Sequence, residues 1–424
     1  VSAGAGGGGA SPGPVRFDPG DPEVWRDPYP MYGRLRDEDP VHRVPGGTLG
    51  SSHDVVVLSR FADVFAAATD TATFSSAQGL TFADDEIAAL GLLPTMVMMD
   101  RPEHTAQRRL VNRAFTPRAV AGLEPAVRDF VGRALERIAE AGTADFVAEV
   151  AAALPGVVVA TFLGVPESDR GPFARWSSAI VQANAAGSVL GAADAVGELY
   201  GYFTGLAAWR RDHPGDDVVS ALVGAELDGR PVTLEEVLGF CFVMVAGGND
   251  TATGLLGHSA ALLTAFPDQR RRLIEEPGRI PAAVEELLRY TSPVQGLSRT
   301  TTRGVEIAGT PVAAGTKVHL LYAAANRDPR EFGPDAGDLD VGRRIGRMLS
   351  FSSGPHHCLG AAAARLQGRV VLEELLARLP GFVADPEGGV LAPGPFTRRY
   401  ERLPITAGPG RGRAAGARAG TLGR

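Results

Sequence analysis

Phe351-Ser352-Ser353-Gly354-Pro355-His356-His357-Cys358-Leu359-Gly360 runs straight into Ala361-Ala362-Ala363-Ala364-Arg365-Leu366, and this boundary decides how the chain is read. Glycine and proline before the cysteine prescribe a loop, and the alanine run after it prescribes a helix ending near Leu379-Pro380. Cys358 therefore stands at a helix amino terminus, where free N–H groups and the positive dipole end are expected to lower a thiol pKa and favour thiolate. Gly354 and Gly360 are expected to leave the backbone bare on either side of the sulfur, so that a large flat group can approach.

Three chemistries compete for this segment. A buried inert cysteine does not explain the glycines and the two histidines around it. Zinc fails on counting, because the adjacent His356 and His357 diverge and the other cysteine, Cys241, is far away in a long helix. A thiolate ligand to haem iron accounts for all the features.

Composition sets the frame. The 424 residues are 44% hydrophobic and 21% charged, enough for a sizeable core. Forty-two basic against 49 acidic residues leave a net charge of −7, which gives no reason to expect nucleic acid as a partner. Lys317 is the only lysine, a bias read as genomic base composition. Two cysteines cannot build a disulfide framework and fit a reducing, cytoplasmic compartment. Residues 1–14 read as a flexible leader, 15–406 as one catalytic domain, and 407–424, with Arg411, Arg413, Arg418 and Arg424 among Gly and Ala, as a flexible tail. The apolar run from Val147 to Val165 is broken by Glu149, Pro155 and Gly156, so no membrane span is expected.

The class is mainly α with a minor sheet. Val120, Leu123, Val127, Val131, Leu135 and Ile138 recur at helical spacing and predict a helix over 118–141. Val55 to Leu58 predicts a strand, and Val305 to Leu321 a hairpin-like pair broken by Gly309 and Pro311, with a second turn at Ala314-Gly315. Thr233 with Glu236 forms a capping box that opens the longest helix, expected to reach about Phe266. Ala246-Gly247-Gly248-Asn249-Asp250-Thr251, in its middle, is poor helix former and predicts a functional kink. A further helix over about 282–290 carries Glu286 and Arg289, whose spacing taken alone describes a surface pair.

The cysteine segment resembles the haem-binding loop of the cytochromes P-450, whose pattern is Phe, Gly, any, Gly, any, His or Arg, any, Cys, any, Gly. Phe351, Gly354, His356, Cys358 and Gly360 match, and Ser352 departs where Gly is usual, a small-for-small exchange. Further matches run from about Asp100 to Arg402. The 246–251 stretch is similar to the family's oxygen-binding helix with its acid–alcohol pair, Asp250 and Thr251, and places Ala246 and Gly247 against the cofactor. Glu286-Leu287-Leu288-Arg289 resembles the Glu-x-x-Arg of a buried triad completed by Arg343, which reverses the surface reading of that pair. Asp100 to Arg109 resembles the segment supplying His104 and Arg108 to the haem propionates, with Arg299 and His356 as their companions. Haem carboxylates in an apolar slot require such charge-assisted partners.

The resemblance implies a cytochrome P-450 fold with haem b between the long central helix and the helix after the cysteine loop. Cys358 would be the metal ligand, Thr251 and Asp250 would manage protons, and Glu286, Arg289 and Arg343 would hold the core beneath. It implies a monooxygenase that hydroxylates or epoxidises a lipophilic small molecule such as a terpenoid, polyketide, fatty acid or steroid. Electrons would come from NAD(P)H indirectly, through ferredoxin and ferredoxin reductase or flavodoxin, docking at Arg108, Arg109, Arg113, Arg344 and Arg347 on a monomer. The pocket is expected to draw on 75–99, the middle of the long helix, 294–297, Phe396 and Thr397, with Asn249 facing either substrate or a neighbouring helix. A peroxygenase or dehydratase of the same fold, or a haem-binding sensor, are the alternatives.

Overall fold

The capping box opens the longest helix as the sequence predicts: Thr233 accepts from the Glu236 N–H, and Glu236 takes the Thr233 N–H at 2.9 Å. In this computed structural model, which describes residues 13–84, 95–112, 115–185 and 192–408, the helix runs from Leu234 to Ala265, 32 residues. It stays helical through 246–251, so the weak helix formers there do not break it. Packing overrides the weak local propensity: helices Ala153–Phe162, Arg170–Ala185, Ala193–Asp212, Ile280–Thr291 and Ala361–Arg378 all lie against it.

The helix predicted over 118–141 is two helices, Pro117–Gly122 and Glu124–Ala141. Pro125 lacks the N–H that a continuous helix would need, and it sits instead in the first turn of the second piece. Val127, Val131, Leu135 and Ile138 are buried as their period requires.

Strands gather into a five-stranded sheet in the order Val41–Val44, Val55–Leu58, Lys317–Leu320, Leu297–Thr301, Phe74–Ser75. All neighbours are antiparallel except Val55–Leu58 with Lys317–Leu320. The hairpin Val305–Ile307 with Thr310–Val312 turns through Ala308 and Gly309, both in the left-handed region. The last helix, Ala361–Arg378, ends where Leu379-Pro380 predicts.

Helix Ile280–Thr291 carries the hub joining the helical body to the irregular chain before the cysteine. Glu286 and Arg289 are both 0% exposed. Arg289 donates Nε and Nη2 to the two Glu286 oxygens, each at 2.7 Å. Its other donors reach the carbonyls of Asn326 and Ala336 at 2.8 Å and of Asp338 at 3.1 Å, so all five N–H groups are used. Arg343 Nε approaches Glu286 Oε1 at 3.4 Å, and the Asp340 N–H donates to the same oxygen at 3.0 Å. Removing one partner of such a pair strands a buried charge and costs about 3–5 kcal/mol. Glu286→Gln is therefore expected to lower the thermal midpoint by on the order of 10 °C, and calorimetry giving an unchanged midpoint would show that the carboxylate balances nothing.

Candidate active site

From the hub the chain passes to the cysteine loop through one asparagine. Asn326 accepts from the Leu349 N–H at 2.8 Å and donates to Ser292 Oγ at 2.8 Å and Ser350 Oγ at 3.0 Å. Ser350 Oγ in turn donates to the Leu288 carbonyl at 2.8 Å. A single 3₁₀ turn, Gly354–His356, then leads to Cys358, whose N–H donates to the Phe351 carbonyl at 2.9 Å. Gly360 caps the following helix.

Two expectations about this loop need correction. Cys358 is open to a cavity yet enclosed by protein on its other sides, and burial raises its thiol pKa. The amides of Gly360 and Ala361 and the guanidiniums of Arg108 and Arg365 pull the other way without overcoming it. Gly354 serves the loop rather than a ligand: at φ +68°, an added Cβ would lie 3.1 Å from Thr69 Cα, against helix Phe61–Thr69. Gly360 does line the cavity.

Ser352 sits at φ +56°, where only glycine is free of strain. Its smallness is thus not what matters at this position. Its hydroxyl pairs with the Tyr322 hydroxyl at 3.2 Å.

A cationic cluster edges the cavity. His104, on helix Glu103–Asn112, stacks on His356 with ring centroids 4.1 Å apart. Arg108, one turn on, lines the cavity while its Nε donates to Asn112 at 3.1 Å. Arg299, 2% exposed on strand Leu297–Thr301, does not line the cavity but stands behind His356, and it donates to the Ser298 carbonyl at 2.7 Å. Burial, followed by Arg299, His104 and Arg108, brings the His356 pKa down to about 3. His104 is lowered by burial and then by Arg108 and Arg101. Among the described residues, no carboxylate forms an ion pair with Arg108 or Arg299, so two guanidiniums beside two uncharged imidazoles make a receptor for an anion.

On the long helix, Thr251 donates to the Gly247 carbonyl at 3.0 Å. Asp250, 2% exposed, meets Arg399 Nε at 2.5 Å. Burial pushes its pKa up to about 6, with Arg399 opposing the rise and Glu401 adding to it. Asn249 does not line the cavity: it donates to Val245 of its own helix at 2.9 Å, beside Gly156 of helix Ala153–Phe162.

The cavity, about 430 Å³, lies between the long helix and the cysteine helix. Ala246, Gly247, Asp250, Thr251, Phe351, His356 and Cys358 all border it, as do Leu80, Thr81, residues 95–98, Val294, Leu297, Phe396 and Thr397. Residues 85–94, part of the expected wall, lie outside the described residues.

A cytochrome P450 family model matches residues 209–383. Cytochrome P450 130 of Mycobacterium tuberculosis is 53% identical over 388 residues, 90% of this chain and 96% of that protein. This chain belongs to the cytochrome P450 family. Vitamin D(3) 25-hydroxylase of Pseudonocardia autotrophica is 36% identical over 393 residues, 91% of this chain and 95% of that protein. The cytochrome P450 PksS of the bacillaene polyketide synthase of Bacillus subtilis has the same fold, with a TM-score of 0.85 at 30% identity over 93% of this chain and 100% of that one. The chain is thus a monooxygenase of the cytochrome P450 fold, and its cofactor is haem.

The site fits that cofactor. Apolar walls suit the flat ring, the Arg108 and Arg299 guanidiniums with the His104 and His356 rings suit its two carboxylates, and a thiol stands in the same cavity. Among the described residues, no helix is long and apolar enough to cross a membrane. The arginines expected at a docking face divide: Arg108 turns to the cavity, Arg347 forks onto Glu331 at 2.7 and 2.9 Å, Arg109 and Arg344 are exposed, and Arg113 lies outside the described residues.

Sequence reasoning missed Arg399, which no motif marks, and the Phe115, Val159, Phe162 and Ile180 wall, which reads as ordinary helical core. It also missed the Ser352–Tyr322 pair. A left-handed serine costs about 1–2 kcal/mol, and a hydroxyl bond that holds it there returns about 1 kcal/mol. Tyr322→Phe is accordingly expected to cost about 1 kcal/mol in the parent and close to nothing in a Ser352→Gly background. Equal costs in denaturant titrations of both backgrounds would show that the bond does not hold the loop.

Proposed function

We propose that this enzyme hydroxylates or epoxidises a lipophilic small molecule in the cytoplasm, with electrons passed from NAD(P)H through a separate ferredoxin and its reductase, or a flavodoxin. The observation that carries this reading is the Asp250–Thr251 pair on the wall of the cavity that also holds Cys358. Haem b, when bound, supplies dioxygen activation and oxygen transfer. Cys358 thiolate would hold the iron, and its electron donation would favour oxygen activation over reversible carriage. His104, Arg108, Arg299 and His356 would hold the propionates, while Phe351, Gly360, Ala246 and Gly247 would contact the ring. Gly354 keeps the cysteine loop against its neighbouring helix, and the Glu286, Arg289 and Arg343 triad holds the core beneath it.

Thr251 and Asp250 handle protons. Asp250 exchanges protons with solvent and supplies one through water to Thr251 on the cavity wall, whose hydroxyl gives up its own proton as it accepts one. Phe115, Phe162, Phe240 and Phe242 with Met96, Met98 and Met244 make the wall apolar, in keeping with a relative that acts on vitamin D(3). The unpaired Cys241 and Cys358 agree with a reducing compartment.

Carbon monoxide difference spectra of the reduced protein test the ligand. A strongly red-shifted Soret band is expected in the parent and not in Cys358→Ala or Cys358→His. A folded, haem-loaded parent without that band removes the thiolate and the mechanism with it. The partner is tested by Arg109→Glu and Arg344→Glu, expected to raise the apparent KM for ferredoxin about fivefold at low salt. An unchanged KM for every ferredoxin tried would place docking elsewhere.

A further inference from the structure

Asp250 is held by chain that arrives from the far end of the sequence. Residues 396–399 lie across the long helix, pinned by three backbone bonds. The Gln295 N–H donates to the Phe396 carbonyl at 2.7 Å, the Arg398 N–H to the Pro293 carbonyl at 2.8 Å, and the Ala392 N–H to the Arg399 carbonyl at 2.9 Å. Gly254, one turn past Asp250, permits the approach, since a Cβ there would lie 2.7 Å from the Arg398 carbonyl oxygen. Arg399, 6% exposed, thus has a fixed backbone, and its Nε lies 2.5 Å from Asp250 Oδ1.

That contact is close but poorly aimed. Among the described residues, neither Asp250 oxygen nor Arg399 Nε has a partner in hydrogen-bonding geometry. A buried carboxylate with a charged neighbour and unfilled acceptors keeps its lone pairs available for water and for a proton.

The other charges nearby do not compete for this role. Arg398 is spent on the His258 ring at 3.1 Å and on the carbonyls of Arg26 at 2.5 Å and Trp25 at 3.3 Å. His258, with Nδ1 on the Gly254 carbonyl at 2.9 Å, is carried by burial and then by Arg398 down to about 3, and is neutral. Glu401 is exposed and acts on Asp250 only through its charge.

We propose that Arg399 is a positioning residue for proton delivery, a fixed counter-charge beside the Asp250 carboxylate that sets the pH range over which that acid carries a proton. The inference rests on Asp250 handling protons in the proposed reaction. With its pKa pushed up to about 6, Asp250 is about one-tenth protonated at pH 7. It therefore takes up a proton from solvent, releases it through water towards Thr251, whose hydroxyl gives up its own proton as it accepts one, and returns to carboxylate. Without Arg399, burial and Glu401 act unopposed, and the acid holds its proton through neutral pH.

Infrared difference spectra of the haem-loaded protein across a pH titration test this directly. The protonated-carboxyl band that disappears in Asp250→Asn reports the acid itself. Its midpoint is expected to rise by about one unit or more in Arg399→Gln, a tenfold gain in proton affinity, and to return most of the way in Arg399→Lys. Arg399→Met gives the same loss of charge if the glutamine variant does not fold. A midpoint within about 0.3 unit of the parent in the charge-loss variant overturns the proposal. If no band is lost in Asp250→Asn, the proton-handling role of Asp250 falls first and takes the proposal with it, which separates the two failures.

Discussion

Arg289 has five N–H donors and, with no exposure to water, must place all of them inside the protein. Two go to Glu286 on the same helix, and three go to the carbonyls of Asn326, Ala336 and Asp338 on chain that has little regular structure of its own. The desolvation cost of both charges is offset only if those carbonyls sit where they do. The pair therefore selects one path for 326–343, and Asn326 passes that choice on by holding Leu349 and Ser350 at the start of the cysteine loop.

The active site uses unpaired charge in a different way. Around His104, Arg108, Arg299 and His356, burial and neighbouring guanidiniums lower the proton affinity of the two histidines and leave room for an anion. At Asp250 a single guanidinium stands close by without a well-aimed bond. The first arrangement suits a permanently bound group, because only an added negative charge relieves it. The second suits a proton that comes and goes, because neither ionisation state is strongly favoured near neutral pH.

How much of this could be read beforehand depends on where each signal lies. The capping box, the strand at Val55–Leu58 and the cysteine segment are local, and each stands where the residues themselves place it. The break at Pro125 was also local, but a strong apolar period on both sides hid it. The weak helix formers at 246–251 leave the helix unbroken for the opposite reason: five helices packed along the long helix outweigh their propensity. Burial of Glu286 and Arg289 could not come from their spacing, which surface pairs share. Their long-range partners decide it.

Arg399 shows the limit most clearly. Its role follows from Gly254, whose missing side chain lets the 396–399 segment touch the helix carrying Asp250, and from the Gln295 and Pro293 contacts that hold the segment there. None of these residues forms a motif with the others, and about 150 positions separate the acid from its counter-ion. The same segment turns Phe396 and Thr397 into the cavity wall. One short stretch of chain thus fixes both a surface that meets substrate and the charge beside the proton-handling acid, so a substitution made to reshape the pocket at Thr397 also bears on Asp250.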